Sequence, residues 1–187
     1  FKTVSRNFMF DPESSYVNLS IRETQLTDTE ALFPIFNDDE TVKYTNFKVY
    51  DTKEKFQEFL HGFIKLNQGE PLQMGPFCIL CNHQPIGLCG MQQQNTSDGS
   101  TELWYIIHPK YWGKGLTKKA VELMMIKALN NQELKLITAT AVTRNTASWK
   151  ILESFGFLRT EERKRGFQKE SLIADLYSYV LKTKTSK

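Results

Sequence analysis

The stretch Thr101-Glu102-Leu103-Trp104-Tyr105-Ile106-Ile107-His108-Pro109-Lys110-Tyr111-Trp112-Gly113-Lys114-Gly115-Leu116-Thr117-Lys118-Lys119 decides how the chain is arranged. Residues 101–107 form an extended, largely apolar run. His108-Pro109 breaks it, a turn occupies Lys110 to Gly115, and the apolar-rich segment Leu116 to Leu129 predicts a helix. Strand, glycine turn and helix together make an anion site, because the N–H groups of the first helical turn have no intrahelical partner and the dipole favours negative charge there. The charges agree. Lys114, Lys118 and Lys119 sit at or near the positive end of the helix, with no acid before Glu122. Each such cation costs roughly a few tenths of a kcal/mol. An anion held by backbone and lysines resolves that conflict; a solvated lysine face is the alternative.

Two common phosphate motifs do not fit. A Walker A loop needs a spacing absent here. A dinucleotide fingerprint is matched at Gly113 and Gly115, but its third glycine is Lys118, and Lys135 stands near where a ribose-binding acid belongs. Lys110-x-x-Gly113-x-Gly115, in contrast, resembles the acyl-CoA pyrophosphate loop, [RQ]-x-x-G-x-[GA], of the GNAT N-acyltransferase superfamily. The run from Glu102 to Thr117 resembles the branch containing the ribosomal-protein N-terminal-amine acetyltransferases. Lys110 departs from the usual Arg or Gln.

Residues 1–15 read as an N-terminal arm, 16–182 as a single domain and 183–187 as a frayed tail. Tyr16 to Thr24 alternates like a strand. Thr27 to Glu30 has the form of a capping box, opening a helix that buries Leu32, Phe33, Ile35 and Phe36. A short helix is expected over 38–44. A third, capped by Asp51 or Thr52, carries a wide apolar face from Phe56 to Leu66. Met74 to Cys81, Ile86 to Gln94 and Ser100 to Ile107 predict an antiparallel meander, with turns over 82–85 and 95–99. Leu134 to Val142 follows the central helix, so it should run parallel to 100–107. The last hairpin pairs 157–163 with 169–181 across Lys164-Arg165-Gly166. Arg159, Arg163, Lys164 and Arg165 read as a solvated basic loop.

Asn145-Thr-Ala-Ser-Trp-Lys-Ile-Leu-Glu-Ser-Phe-Gly-Phe157 is a complete helix signature: Asn145 caps it, Ile151, Leu152 and Phe155 pack it, and Gly156 ends it. It also resembles the N-x-x-S-x-x-x-x-E-x-x-G-F signature of the same GNAT branch. Together the two resemblances span about residues 18–181. They imply an α/β fold of α+β type: a mixed, mostly antiparallel sheet, helices on both faces, and two parallel central strands splayed at one end.

The implied function is N-acetyl transfer from acetyl-CoA to a primary amine by direct attack in a ternary complex. The resemblance assigns the cosubstrate to Ile106, Ile107, His108, Lys110, Tyr111, Trp112, Gly113, Lys114, Gly115, Leu116, Thr117, Lys118, Asn145 and Ser148. N–H groups near Ile106 and Ile107 would assist the oxyanion. Glu102 is the nominated base; as a residue type it equally suits a surface strand. His108 is a second candidate, histidine being suited to proton transfer near neutrality. Ser148 is nominated for the leaving thiolate, either protonating it, relaying a proton through water or only positioning it, because Leu152 stands where other branches carry a tyrosine. Early helices cover the acceptor site in this family, which brings Phe47 and Tyr50 towards it. The acceptor is a peptide or protein N-terminus or a small amine. The competing classes are a non-catalytic acyl-CoA-binding or partner-binding module and a nucleotide-binding protein.

Composition bounds the rest. At 187 residues with 40% apolar and 24% charged content, the chain can bury a substantial core. A net charge of +3 is too small to indicate nucleic acid. No run reaches membrane-spanning length, and Phe1-Lys2-Thr3-Val4 lacks a signal-peptide core. Cys78, Cys81, His83 and Cys89 have metal-ligating chemistry, but Cys78 and Cys81 lie in a strand-like run without the tight turn of a zinc knuckle. No metal is expected, and unpaired thiols suit a cytoplasmic location. The aromatics of 44–66 would serve a lid or a homodimer.

Overall fold

The computed structural model of the chain describes residues 17–66, 72–95 and 99–183. The N-terminal arm, Tyr16, the middle of the 95–99 loop and residues 184–187 lie outside the described residues. Seven strands form one sheet: β1 (Leu19–Glu23), β2 (Met74–Cys81), β3 (Gln84–Asn95), β4 (Ser100–Ile107), β5 (Leu136–Val142), β6 (Leu158–Lys169) and β7 (Leu172–Lys182). Their spatial order is β1-β2-β3-β4-β5-β7-β6. The helices are α1 (Thr29–Phe36), α2 (Asp39–Val42), α3 (Lys53–Leu66), α4 (Leu116–Leu129) and α5 (Thr146–Ser154).

Each face of the sheet carries its own core. On one, Leu32, Ile35 and Phe36 of α1 and Phe56 and Leu60 of α3 pack on Cys78, Leu88 and Ile106. On the other, Leu116, Ala120, Val121, Met124, Met125 and Ala128 of α4 pack with Cys89, Met91, Leu103 and Ile137. This is the helical spacing expected of a one-sided apolar stripe. The thiols divide accordingly, Cys78 in one core and Cys89, with Cys81 packed against it, in the other. Burial pushes the thiols of Cys78 and Cys89 each up to about 12.

β4 and β5 are parallel, as the crossover helix requires, but they pair only through Ser100↔Leu136, Thr101↔Ile137 and Glu102↔Thr138. Beyond that, β5 follows β7 down to Val142↔Leu176. Leu103–Ile107, roughly 16 Å of strand at about 3.3 Å per residue, therefore borders an open split. The phase of the ladder decides which groups face it. His108 N–H donates to Ile86 O at 2.8 Å, and alternation turns Ile106 N–H to β3 and Ile107 N–H to the split. The expectation that both would serve an oxyanion is corrected: Ile106 N–H is directed into the sheet.

Other boundaries differ from those expected. The first capping box is Gln25 with Asp28, not Thr27 with Glu30. Asp28 gives α1 no side-chain cap because its carboxylate meets Arg22 of β1. Thr52 Oγ1 accepts from Lys55 N–H at 3.3 Å and opens α3, while Asp51 pairs with Lys55. The β2–β3 turn is Asn82-His83, both with positive φ (49° and 67°), the two-residue primed type. The last hairpin turns at Glu170-Ser171, not at 164–166, since Lys169 pairs with Leu172. Gly166 instead sits in a register shift between Arg163 and Phe167. A Cβ there would meet Arg163 Cβ at 2.8 Å, which is the close approach that bulge glycines permit. The basic residues are accordingly strand residues with partners: Arg159 lies 3.8 Å from the centre of the Tyr177 ring, and Lys164 pairs with Glu162 and Asp175.

The Arg22–Asp28 pair sets an acid limit on stability. Arg22 donates to both Asp28 oxygens at 2.8 and 2.7 Å, and Gln25 N–H adds a third bond at 2.9 Å. Burial pushes the Asp28 carboxyl up, but Arg22 and the Gln25 N–H outweigh it and hold it below its ordinary value. A depressed carboxyl stabilises the fold above the unfolded pKa and loses that contribution as pH falls through the folded one. We expect Asp28→Asn to lose about 2 kcal/mol near neutrality, less than for a fully buried pair because the Arg22 side chain is 37% exposed. Urea titrations should show the wild-type midpoint falling below about pH 4 more steeply than that of the variant. Parallel curves would remove this pair from the account.

Candidate active site

The loop after β4 is built by its backbone. His108 opens a 3-10 turn over Pro109–Tyr111, and its Nδ1 accepts from Lys110 N–H at 3.1 Å. The neutral ring therefore carries its proton on Nε2. Trp112 Nε1 donates to Ile107 O at 2.9 Å, a carbonyl facing the split. Gly113 and Gly115 both have left-handed φ, 70° and 73°, and Gly115 caps α4 without a side chain. A Cβ on either glycine would meet nothing within 4 Å, so they are needed for conformation and the space above them is open. Lys110, Lys114, Lys118 and Lys119 are exposed around this start, and α4 has no acid in its first turn. Lys114 leans over Tyr111 and Lys118 over Phe155, 5.7 and 5.9 Å from the ring centres. Leu116 turns inward to the core, and Thr117 is half-buried. Backbone donors, cations and free space fit an anionic group such as a pyrophosphate.

Beside the split lies a cavity of about 1130 Å³. It is bordered by the 44–47 segment, Phe59 and Phe63 of α3, Glu102 to Tyr105 of β4, parts of β5, β6 and β7, and Asn145 and Ser148 of α5. Among the described residues, none from 106 to 118 borders it. The glycine loop and the cavity are separate parts, joined by β4. Phe47 borders the cavity. Tyr50 does not; it stacks on Phe59 at 5.1 Å inside the aromatic core.

Strand alternation separates the two nominated catalytic groups. Glu102 shares a face with Trp104, which packs on the α1–α3 side. Thr140 Oγ1 donates to Glu102 Oε1 at 3.0 Å across the top of the split. Leu103 and Tyr105 point the other way, to the α4–α5 side. There the Tyr105 hydroxyl lies 2.9 Å from Ser148 Oγ and also donates to Ser148 O at 3.2 Å. Asn145 Oδ1 caps α5 by accepting from Ser148 N–H at 3.3 Å, leaving its amide NH₂ for other partners.

Tyr105 was not singled out from sequence. It reads as an ordinary strand aromatic, and its partner is 43 residues away. The signal available was the missing tyrosine at Leu152, which leaves room for a phenol from another element, here the half-buried Tyr105 of β4. Burial pushes the Tyr105 hydroxyl up to about 12, against the Ser148 hydrogen bond, which lowers it. It stays a neutral donor across the working range.

Residues 18–158 match the family described as "Acetyltransferase (GNAT) domain". Among curated proteins, the uncharacterized N-acetyltransferase p20 of Bacillus licheniformis is 24% identical over 164 residues, covering 87% of this chain and 92% of that one. Among solved structures, the RimL ribosomal L7/L12 alpha-N-protein acetyltransferase in complex with coenzyme A superposes with a TM-score of 0.80 at 15% identity, covering 94% of this chain and 98% of that one. The Vibrio cholerae spermidine N-acetyltransferase in complex with CoA and spermine gives 0.76 at 18% identity, covering 88% and 95%.

Proposed function

The chain belongs to the GNAT acetyltransferase family, and from that premise we propose that it moves an acetyl group from acetyl-CoA to a primary amine by direct attack in a ternary complex. The observation that carries this reading is the division of labour across β4. A carboxylate, Glu102, lies on one face and a hydroxyl pair, Ser148 with Tyr105, on the other, both bordering one cavity at the split. Acyl transfer to an amine needs a proton acceptor on the nucleophile's side and a donor on the leaving group's side.

When bound, acetyl-CoA supplies an acyl thioester. The N–H groups of the Lys110–Gly115 loop and the first turn of α4, with Lys114 and Lys118, hold its pyrophosphate. Asn145 donates its amide hydrogens to the pantetheine arm. Ile107 N–H, turned to the split, is the backbone donor for the acyl oxygen. Glu102, directly or through water, takes the proton of an amine held about 3–3.5 Å from the carbonyl carbon. Ser148 Oγ hydrogen-bonds the departing sulfur and relays to it a proton taken up from water, so that no alkoxide is left behind.

Tyr105 positions that donor. Forming a buried phenolate is unfavourable for a hydroxyl pushed up to about 12, so Tyr105 donates a hydrogen bond rather than its proton. We expect Tyr105→Phe to lower kcat about tenfold while the KM for acetyl-CoA stays unchanged, and Ser148→Ala to lower it further. The double variant should cost no more than Ser148→Ala alone, since Tyr105 acts through Ser148. Additive losses would mean the two hydroxyls act separately.

The acceptor is a peptide or protein N-terminus or a small amine. The neighbour that acts on ribosomal L7/L12 and the one named for spermidine support both ends of that range. No described helix is long and apolar enough to cross a membrane. The three cysteines are free, which supports a reducing, cytoplasmic setting. The reading is tested by thermal unfolding with acetyl-CoA, ATP or NAD. Acetyl-CoA at 100 times Kd should add about 2.7 kcal/mol, or roughly 2–4 °C per kcal/mol for a domain of this size. A shift with ATP or NAD instead would overturn it.

A further inference from the structure

Resting on the acetyl-transfer reading, we infer that the acceptor is a monoamine whose amino group lies within a few atoms of a bulky apolar group, above all an aromatic one. Phe47, Phe63 and Trp104 are the residues that select it. Glu102 and Trp104 are two residues apart on β4, so they point to one face about 6.7 Å apart. An amine at Glu102 thus brings its nearest substituent against the indole. Phe63 lies over that indole at 5.4 Å between ring centres, Phe47 meets it edge-on at 5.6 Å, and Phe47 and Phe63 are 6.0 Å apart. All three border the cavity.

These rings do more than fill the core. Phe36 and Phe56, which close the same aromatic cluster, are 0% exposed, whereas Phe47, Phe63 and Trp104 keep part of their surface open. Burying that surface is an apolar gain the cavity offers a ligand. The wall is also held in place. Lys169 Nζ, from the end of β6, donates to Val42 O at 2.8 Å and Phe47 O at 2.6 Å. This ties the segment before Phe47 to the far hairpin and leaves little reorganisation for binding to oppose.

Charge separates a monoamine from a polyamine. Among the described residues, the charged side chains bordering the cavity are Glu102, Glu161 and Arg163. Glu161 faces Arg163 at 3.6 Å, and the formal charges of these three lining residues sum to −1. One ammonium group is matched by that; a chain of several is not.

The test uses the whole protein with acetyl-CoA, reading release of the CoA thiol. Four acceptors are compared: phenethylamine, a tripeptide beginning with Phe, the same tripeptide beginning with Ser, and spermidine. We expect kcat/KM for at least one phenyl-bearing acceptor to exceed both others by roughly tenfold or more. Which phenyl acceptor is used separates a free amine from a chain terminus. Phe63→Ala should erase the preference by raising KM for the phenyl acceptor, with the KM for acetyl-CoA unchanged. Should that variant fail to fold, the wild-type ranking still decides. Equal or better turnover of spermidine or the Ser peptide overturns the inference and leaves the acetyl-transfer reading standing. Acetyl-CoA binding with no turnover of any of the four also overturns it. No thermal shift with acetyl-CoA overturns the reading itself, and this inference with it.

Discussion

Gly113→Asp is expected to abolish useful acetyl-CoA binding while leaving a folded protein. Gly113 has φ of 70°, and an L residue there costs about 1–2 kcal/mol, with Asp among the best tolerated. A Cβ at this position meets nothing within 4 Å, so no packing is lost. The added carboxylate points into the space an anion would fill. Like charges brought together at a binding site cost several kcal/mol, and about 3 kcal/mol corresponds to roughly 100-fold in Kd. Gly113→Ala is the control, because it carries similar backbone strain and no charge. The Asp variant should lose the acetyl-CoA-dependent rise in Tm; the Ala variant should keep most of it. Equal retention in both would show that the glycine loop does not hold the pyrophosphate.

Glu102→Gln should leave binding intact and remove catalysis. The amide keeps an oxygen that can accept from Thr140 Oγ1, now 3.0 Å from Glu102 Oε1, so the top of the split is preserved. What disappears is the proton acceptor. Losing a positioned general base lowers kcat by about 10²–10⁴-fold. The KM for acetyl-CoA should not move, since Glu102 and the Ser148 pair lie on opposite faces of β4. A variant with wild-type kcat would transfer the role to His108 or to solvent. His108 is the weaker candidate in the structure, lying outside the cavity lining with Nδ1 engaged by Lys110 N–H.

Where sequence and structure part, the cause is the range of the interaction. Ser100–Ile107 and Leu116–Leu129 coincide with their expected spans, because apolar period, glycine turn and helix start are all expressed within a few residues. Asn145 capping α5 and Gly156 ending it at φ 87° belong to the same class. The last hairpin does not. Gly166 is compatible with a turn or a bulge, and only the pairing of Lys169 with Leu172 decides between them. The capping box shifted for a similar reason: Asp28 has a stronger partner in Arg22, on another element.

By itself, the sequence determined the order strand, glycine loop, helix, strand and capped helix, and with it the parallel crossover. These follow from backbone preferences and short-range apolar spacing. Only the tertiary structure decided what surrounds the candidate groups. Tyr105 meets Ser148 across 43 residues, Thr140 meets Glu102 across 38, and Lys169 holds Phe47 across 122. Each contact depends on which face of a strand is turned inward and on where β4 and β5 part. Sheet pairing sets both, through contacts that local sequence does not encode.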